Sequence, residues 1–327
     1  MKERNNIVMV ITMNPFIYSN DNKRYHTFNY YLRNKYQSKV AKVSLNAGFT
    51  CPNRDGSKSK GGCIFCSDSG SGDFAGNVTD NLLIQFDTVK ELMYAKWPNC
   101  KLIAYFQANS NTYGTIEKLK ECFEPFINKN DVVGIDIATR PDCLNQEIVD
   151  YLADVNQRTN VTVELGLQTI HERTAKLINR AYDFECFKTA LNYLRSRNID
   201  VCVHIINGLP YESKEEMLET IQVIAQLDIQ FIKIHMLYIL KDTTLHKLYK
   251  QKPFTILSRD EYIQLVVDQI EYIPQQVVIQ RLTGDAKIDD LIEPSWSIKK
   301  VAILNDIDKE LERRNSMQGV KINNVLG

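Results

Sequence analysis

VVGIDIATRPDCLNQEIVDYLADVNQRTNVTVELGLQ, residues 132–168, holds one strand–helix–strand unit, and its reading decides the fold. Its two ends, VVGIDIAT (132–139) and VTVELGLQ (161–168), are apolar, β-branched runs of strand length. The stretch between, NQEIVDYLADV, places apolar residues at helical spacing behind Asn145, a good N-cap. Two strands joined through a helix lie parallel, because an antiparallel hairpin needs only a short turn. The same pattern recurs on both sides. VAKVSLN (40–46), KLIAYFQ (101–107), DVCVHIIN (200–207) and FIKIHMLYI (231–239) read as further strands. Amphipathic stretches at 82–97, 115–127, 184–196 and 213–227 separate them, the last opening on a Ser213/Glu216 capping box. Most of the strands read as apolar on both faces, as parallel strands covered by helices do. Strand starts fall about 30 to 40 residues apart, except for a first interval of about 60 that contains an extra loop. Six such units predict an α/β fold, a partial (β/α)6 barrel with a C-terminal α-rich annex. The expected organisation is an N-terminal arm over 1–22, a core barrel over 23–252 and the annex over 253–327.

Composition excludes several classes. Lys+Arg and Asp+Glu are equal at 40 each in 327 residues, so a globally basic nucleic-acid footprint is absent. The apolar runs are strand-sized and far short of a membrane span, so no membrane association is expected. The start, MKERNNIVMVITMNPF, has a short apolar stretch from Ile7 to Thr12 but lacks the features of a signal peptide. Two readings of the start stand equally, folding that begins near Met13 and a functional arm; a cytoplasmic protein is expected. The eight cysteines show no disulfide framework. Cys100, Cys122, Cys143, Cys186 and Cys202 are scattered and read as small hydrophobes.

The extra loop after the first strand is different. CPNRDGSKSKGGCIFC (51–66) gathers Cys51, Cys63 and Cys66 in a polar, glycine-rich segment where packing gives thiols no purpose. Three thiolates can hold a [4Fe–4S] cluster with one iron left open. They can also hold zinc with a fourth ligand from elsewhere, although His26, His171, His204, His235 and His246 all lie outside the loop. In βα barrels, function collects on the loops after the strand C-termini, which is where this loop sits.

The three-cysteine loop after strand one resembles that of the radical S-adenosylmethionine (SAM) enzymes. The long first spacer resembles the branch that contains the catalytic subunit of Elongator. SLNAGFTCPNRDG, GGCIFCSDSGSGDFAG, IATRPDCL, VELGLQTIHE, HIINGLP and ELERRNS extend the resemblance, to a bacterial relative of that branch, over nearly the whole chain. The resemblance implies a TIM-like partial barrel of the radical SAM type. It also implies one [4Fe–4S] cluster on Cys51, Cys63 and Cys66 whose open iron binds SAM. Reductive cleavage of SAM would then give a 5′-deoxyadenosyl radical that abstracts a substrate hydrogen.

Residue by residue, the resemblance puts Phe65 near the adenine and Gly208 in a turn whose backbone approaches it. Glu164 and Gln168 match positions that bond the ribose hydroxyls. Arg140 and Arg180 are expected to pair with the SAM carboxylate, because a guanidinium fork matches it. After strand two the superfamily often carries Gly-Gly-Glu; this chain has QANSNT, so Gln107, Asn109 and Asn111 are the candidates for the methionine amino group. His204, Lys233 and His235 lie on strands five and six, and Arg281 and Asp285 fall near the expected barrel mouth.

Residues 23–60 carry nine Lys/Arg against one acid, interleaved with Tyr25, His26, Phe28, Tyr30, Tyr31 and Tyr36. Such a strip suits phosphates and unstacked bases of single-stranded RNA. With the resemblance it implies tRNA as substrate and action on the 5-position side chain of wobble uridine. A specific version removes the carboxymethyl part of a 5-carboxymethylaminomethyl group, leaving 5-aminomethyl. The length leaves no room for an acetyltransferase domain beside the barrel, so acetyl-CoA chemistry is not expected. An electron donor such as flavodoxin or ferredoxin is implied. The alternatives are a radical SAM enzyme on a small metabolite or peptide, and a non-catalytic zinc-containing RNA-binding protein.

Overall fold

The computed structural model describes residues 16–70 and 72–322. The expected N-terminal arm lies outside the described residues over 1–15, and Phe16 beyond it is fully buried. In chain order the elements are α1 Phe28–Tyr36, β1 Val40–Leu45, α2 Leu82–Lys96, β2 Lys101–Phe106, α3 Ile116–Phe123 and β3 Val132–Thr139. There follow α4 Gln146–Arg158, β4 Asn160–Gln168, α5 Glu172–Leu177, α6 Phe184–Arg195, β5 Asp200–Asn207, α7 Lys214–Ile224 and β6 Phe231–Met236. The chain ends through β7 Ile239–Leu240, α8 Thr244–Gln251, α9 Arg259–Ile270, β8 Val278–Arg281, β9 Leu291–Glu293 and α10 Lys300–Arg313.

The main sheet has seven strands in the order β1-β2-β3-β4-β5-β6-β8, all parallel. Six of them are the strands read from the sequence. The seventh, VIQR (278–281), is too short and too polar at its end to stand out, and it adds to β6 from within the expected annex. The Ser213/Glu216 capping box and the Asn145 cap are both formed. No described helix is long and apolar enough to cross a membrane.

The two faces of the sheet differ, which corrects the reading of strands apolar on both sides. Val43, Leu45, Leu102, Phe106, Ile135, Val163, Val203 and Ile234 belong to the core packed under the outer helices. The other face curls around a cavity of about 1400 Å³ and turns polar. Each of the seven strands sends at least one polar side chain inward, among them Lys42, Tyr105, Asp136, Glu164, His204, Lys233 and Gln280.

α1 closes the end of the barrel opposite the cysteine loop. Leu32 packs on Val40 and Ile103, while Phe28 and Tyr31 pack on Cys202, Phe231 and Val278, all at or near the starts of their strands. The basic and aromatic strip is thereby dismantled as one surface. Tyr25 and His26 are buried, the Phe28 and Tyr31 rings meet Phe231 edge-on, and Lys42 points into the barrel. Lys23 is paired with Asp308 of α10. Aromatic rings at helical spacing pack readily against a barrel end, and burying them gains more than leaving them in water.

Candidate active site

The cysteine loop crosses the C-terminal end of the barrel, held by a clamp that the sequence did not reveal. Asn179, in a left-handed conformation after α5, donates to the carbonyls of Lys60 and Gly62 and accepts from Ser59 Oγ at 3.0 Å. Its own carbonyl accepts from Asn53 Nδ2 at 2.5 Å, and Asn53 Nδ2 also lies 3.5 Å from Cys63 Sγ. Arg54 folds back onto the carbonyls of Ser67 and Asp68. These bonds fix a segment that has no helix or strand of its own.

Cys51, Cys63 and Cys66 are half-buried and line the same cavity. Their sulfurs are not all within 4.8 Å of one another. Three thiolates on one loop are the donor set of a [4Fe–4S] cluster that leaves one iron open.

The other expected residues divide. Phe65, Gln107, Asn109, Arg140 and Gln168 line the cavity. Arg140 donates through Nε and a terminal nitrogen to Asp142, both at 2.9 Å, and lies over the Tyr182 ring. Gln168 accepts from Tyr182 at 3.2 Å, and Tyr182 also donates to the Gly166 carbonyl. Tyr182 is therefore a site residue that the sequence analysis missed, since nothing in INRAYDF marks it. Asn111 is fully buried, donating to the carbonyls of Phe106 and Ala138.

Three expectations are corrected. Arg180 does not line the cavity: fully buried, it donates to the carbonyls of Leu167, Thr169 and Tyr182, stapling the end of β4. Gly208 is also absent from the cavity wall. Its φ of +83° explains the glycine, and its vacant Cβ position faces Leu257. Glu164 lies four residues below Gln168, roughly 13 Å down the strand. There it accepts from Lys42 at 2.8 Å, Lys233 at 2.7 and 2.6 Å, and Tyr105 at 2.7 Å, with His204 Nε2 at 3.0 Å. Its acceptor capacity is filled by protein, leaving no room for ribose hydroxyls.

This buried network sets its own charges. Burial opposes the Glu164 charge, but Lys233 and Lys42 outweigh it and hold the carboxyl well below its usual range. Burial likewise weakens the Lys42 ammonium, yet Asp136, 2.6 Å away, and Glu164 overcome that and raise it. Lys233 goes the other way, to about 8, because burial and the neighbouring Lys42 outweigh Glu164. Burial and Lys233 pull His204 down to about 4, and burial with His204 and Arg281 keeps His235 neutral as well. Lys42, Tyr105 and Asp136 carried no motif; the only signal was a polar residue inside an otherwise apolar strand.

Comparison with known proteins places this geometry. Residues 50–224 match the radical SAM superfamily and residues 229–313 the radical SAM C-terminal domain. The chain is 55% identical over 306 residues to the uncharacterized protein YtqA of Bacillus subtilis, covering 94% of this chain and 95% of YtqA. It is 23% identical over 230 residues to a tRNA uridine(34) acetyltransferase of Methanocaldococcus infernus, covering 69% of this chain and 41% of that enzyme. The solved structure of Elp3 from Methanocaldococcus infernus superposes with a TM-score of 0.65 at 18% identity, over 86% of this chain and 64% of that one. Together, loop, barrel and cavity identify the chain as a member of the radical SAM superfamily, whose cofactors are a [4Fe–4S] cluster and SAM.

Proposed function

We propose that this enzyme modifies tRNA, acting on the 5-position side chain of wobble uridine. The reaction converts a 5-carboxymethylaminomethyl group to 5-aminomethyl. The similarity that carries this reading runs over 69% of the chain, to an enzyme named for uridine 34 of tRNA. A cavity of about 1400 Å³, open at the end that bears the cysteine loop, is consistent with it. It exceeds the usual size of a single-ligand pocket and has room for both SAM and a flipped nucleoside.

In this reading Cys51, Cys63 and Cys66 would hold the cluster, which when bound would supply the electron for reductive cleavage of SAM. Phe65, Gln107, Asn109, Arg140 and Gln168 line the SAM region. Tyr182 fixes Gln168 and carries Arg140 on its ring face, so both polar groups are oriented before a ligand arrives. The substrate side chain enters from the mouth and reaches toward the polar floor. Abstraction of a hydrogen from the methylene between the side-chain nitrogen and the carboxylate, return of one electron to the cluster and addition of water would release the two carbons as glyoxylate and leave the 5-aminomethyl group. An electron donor of the flavodoxin or ferredoxin class supplies the reducing equivalent.

Mass spectrometry of wobble nucleosides from cells with and without the gene tests the reading. Accumulation of 5-carboxymethylaminomethyluridine at the expense of aminomethyl derivatives is expected in the deletion strain. An unchanged nucleoside profile, alongside SAM cleavage by the purified protein, would instead favour a small metabolite or peptide as substrate.

A further inference from the structure

The floor of the barrel carries more hydrogen-bonding capacity than the protein itself satisfies. His235 Nε2 and Gln280 Nε2 are both shielded from solvent and, among the described residues, neither has a hydrogen-bond partner. Both residues line the large cavity. A buried donor left unmade costs about 1–3 kcal/mol, so two in one cavity point to a ligand that fills them. Gln280 is held by its Oε1, which accepts from Lys42 Nζ at 2.8 Å, while its amide nitrogen is left without a partner. The His235 ring lies 5.5 Å from the His204 ring, which is held against Glu164.

Lys42 and Lys233 share Glu164, and Arg281 and Lys300 share Asp285, on a wall that also carries Asp73, Lys287, Asp289 and Asp290. Arg281 is the cation least committed: it stands opposite Lys233 in the β6–β8 register, and its Asp285 partner, at 3.4 Å, is shared with Lys300 at 2.9 Å. A planar guanidinium whose counter-ion is shared, together with an unpartnered amide N–H and an unpartnered imidazole nitrogen in the same cavity, matches a carboxylate.

We propose that Arg281, Gln280 and His235 form a subsite for a carboxylate carried by the substrate. This rests on reading the cavity as the substrate's site, and it names the group that the floor recognises. In the reaction proposed above, that group is the carboxylate of the carboxymethylaminomethyl side chain. Glu164, Lys42 and Lys233 are its support, holding Gln280 and His204 in place.

N-ethylglycine, a secondary amine bearing a carboxylate, and its uncharged amide serve as probes for the anaerobically purified full chain. With five histidines in the chain, a His235→Phe variant assigns the imidazole resonance of His235 by its disappearance. The acid should shift that resonance saturably at millimolar concentration, and the amide should not. Arg281→Gln should weaken the acid at least tenfold and Arg281→Lys only partly; Arg281 is partly exposed, so neither variant threatens the fold. Equal shifts by acid and amide, no saturable shift by the acid, or unchanged binding in Arg281→Gln would each overturn the subsite. The outcome is separable from the tRNA reading. Acid binding with unchanged wobble nucleosides would leave the subsite and remove tRNA. Normal conversion in cells carrying Arg281→Gln would do the reverse.

Discussion

Glu164 holds two buried lysines, a tyrosine and a histidine around one carboxylate, so its removal should be felt as stability before function. Replacing it with alanine leaves Lys42 and Lys233 facing each other with one counter-charge, Asp136, between them. Breaking a buried ion pair from one side costs about 3–5 kcal/mol, and urea unfolding of Glu164→Ala should show a loss of that order. A loss below about 1 kcal/mol would mean that the network is not closed as described. His204 gives the same centre a pH signature. Its pKa falls from 6.5 to about 4 on folding, so the unfolded chain binds a proton that the folded chain refuses. Stability from this group is complete above pH 6.5 and declines as pH falls toward 4, with His235 adding in the same direction. Urea midpoints at pH 7 and pH 5 should differ accordingly, and His204→Asn should narrow the difference. At the other end of the barrel, Cys51→Ala, Cys63→Ala or Cys66→Ala should abolish bound iron while leaving circular dichroism unchanged.

Among the elements, the cysteine loop depends on a neighbour rather than on itself. Asn179 supplies the hydrogen bonds that hold residues 53–62 in place of a helix or strand. In Asn179→Ala the three side-chain hydrogen bonds disappear, each worth about 1 kcal/mol, and the left-handed backbone position becomes less favourable. The loop should then open locally, so limited trypsin digestion should cut at Lys58 and Lys60 sooner than in the parent, with the barrel helices still protected. Equal cutting rates would show that Arg54 and its carbonyl partners suffice. β8 makes the complementary point. Its register against β6 is what turns Gln280 and Arg281 toward the cavity, so a strand of four residues decides which polar groups reach the floor.

For the whole molecule, a net charge of zero leaves the proposed tRNA affinity to the local distribution of charge. Arg33 and Lys35 sit on α1 at the closed end, whereas Lys58 and Lys60 are on the cysteine loop at the mouth. Charge reversal at Lys58 and Lys60 should weaken tRNA binding and lower the salt slope by about one for each phosphate that is no longer neutralised. Reversal at Arg33 and Lys35 should leave both unchanged. Filter binding across a salt series separates the two, and equal effects would restore the continuous strip that the fold argues against.

The sequence by itself determined the six strands, their helices, the parallel order and the cysteine loop. Those features rest on local periodicity and spacing, which the chain carries in consecutive residues. The capping box at Ser213 and the loop trio were legible for the same reason. Only the tertiary structure decided what the inner face of the sheet is. Lys42, Asp136 and Glu164 each look like an isolated polar residue in an apolar strand, and only the curl of the sheet brings them within 3 Å of shared partners. It also decided that Arg180 and Gly208 serve the backbone, and that Phe28 and Tyr31 pack into the barrel end. The physical reason is common to all of these: burial and charge pairing depend on which side chains face each other across strands, and periodicity along one strand does not encode that.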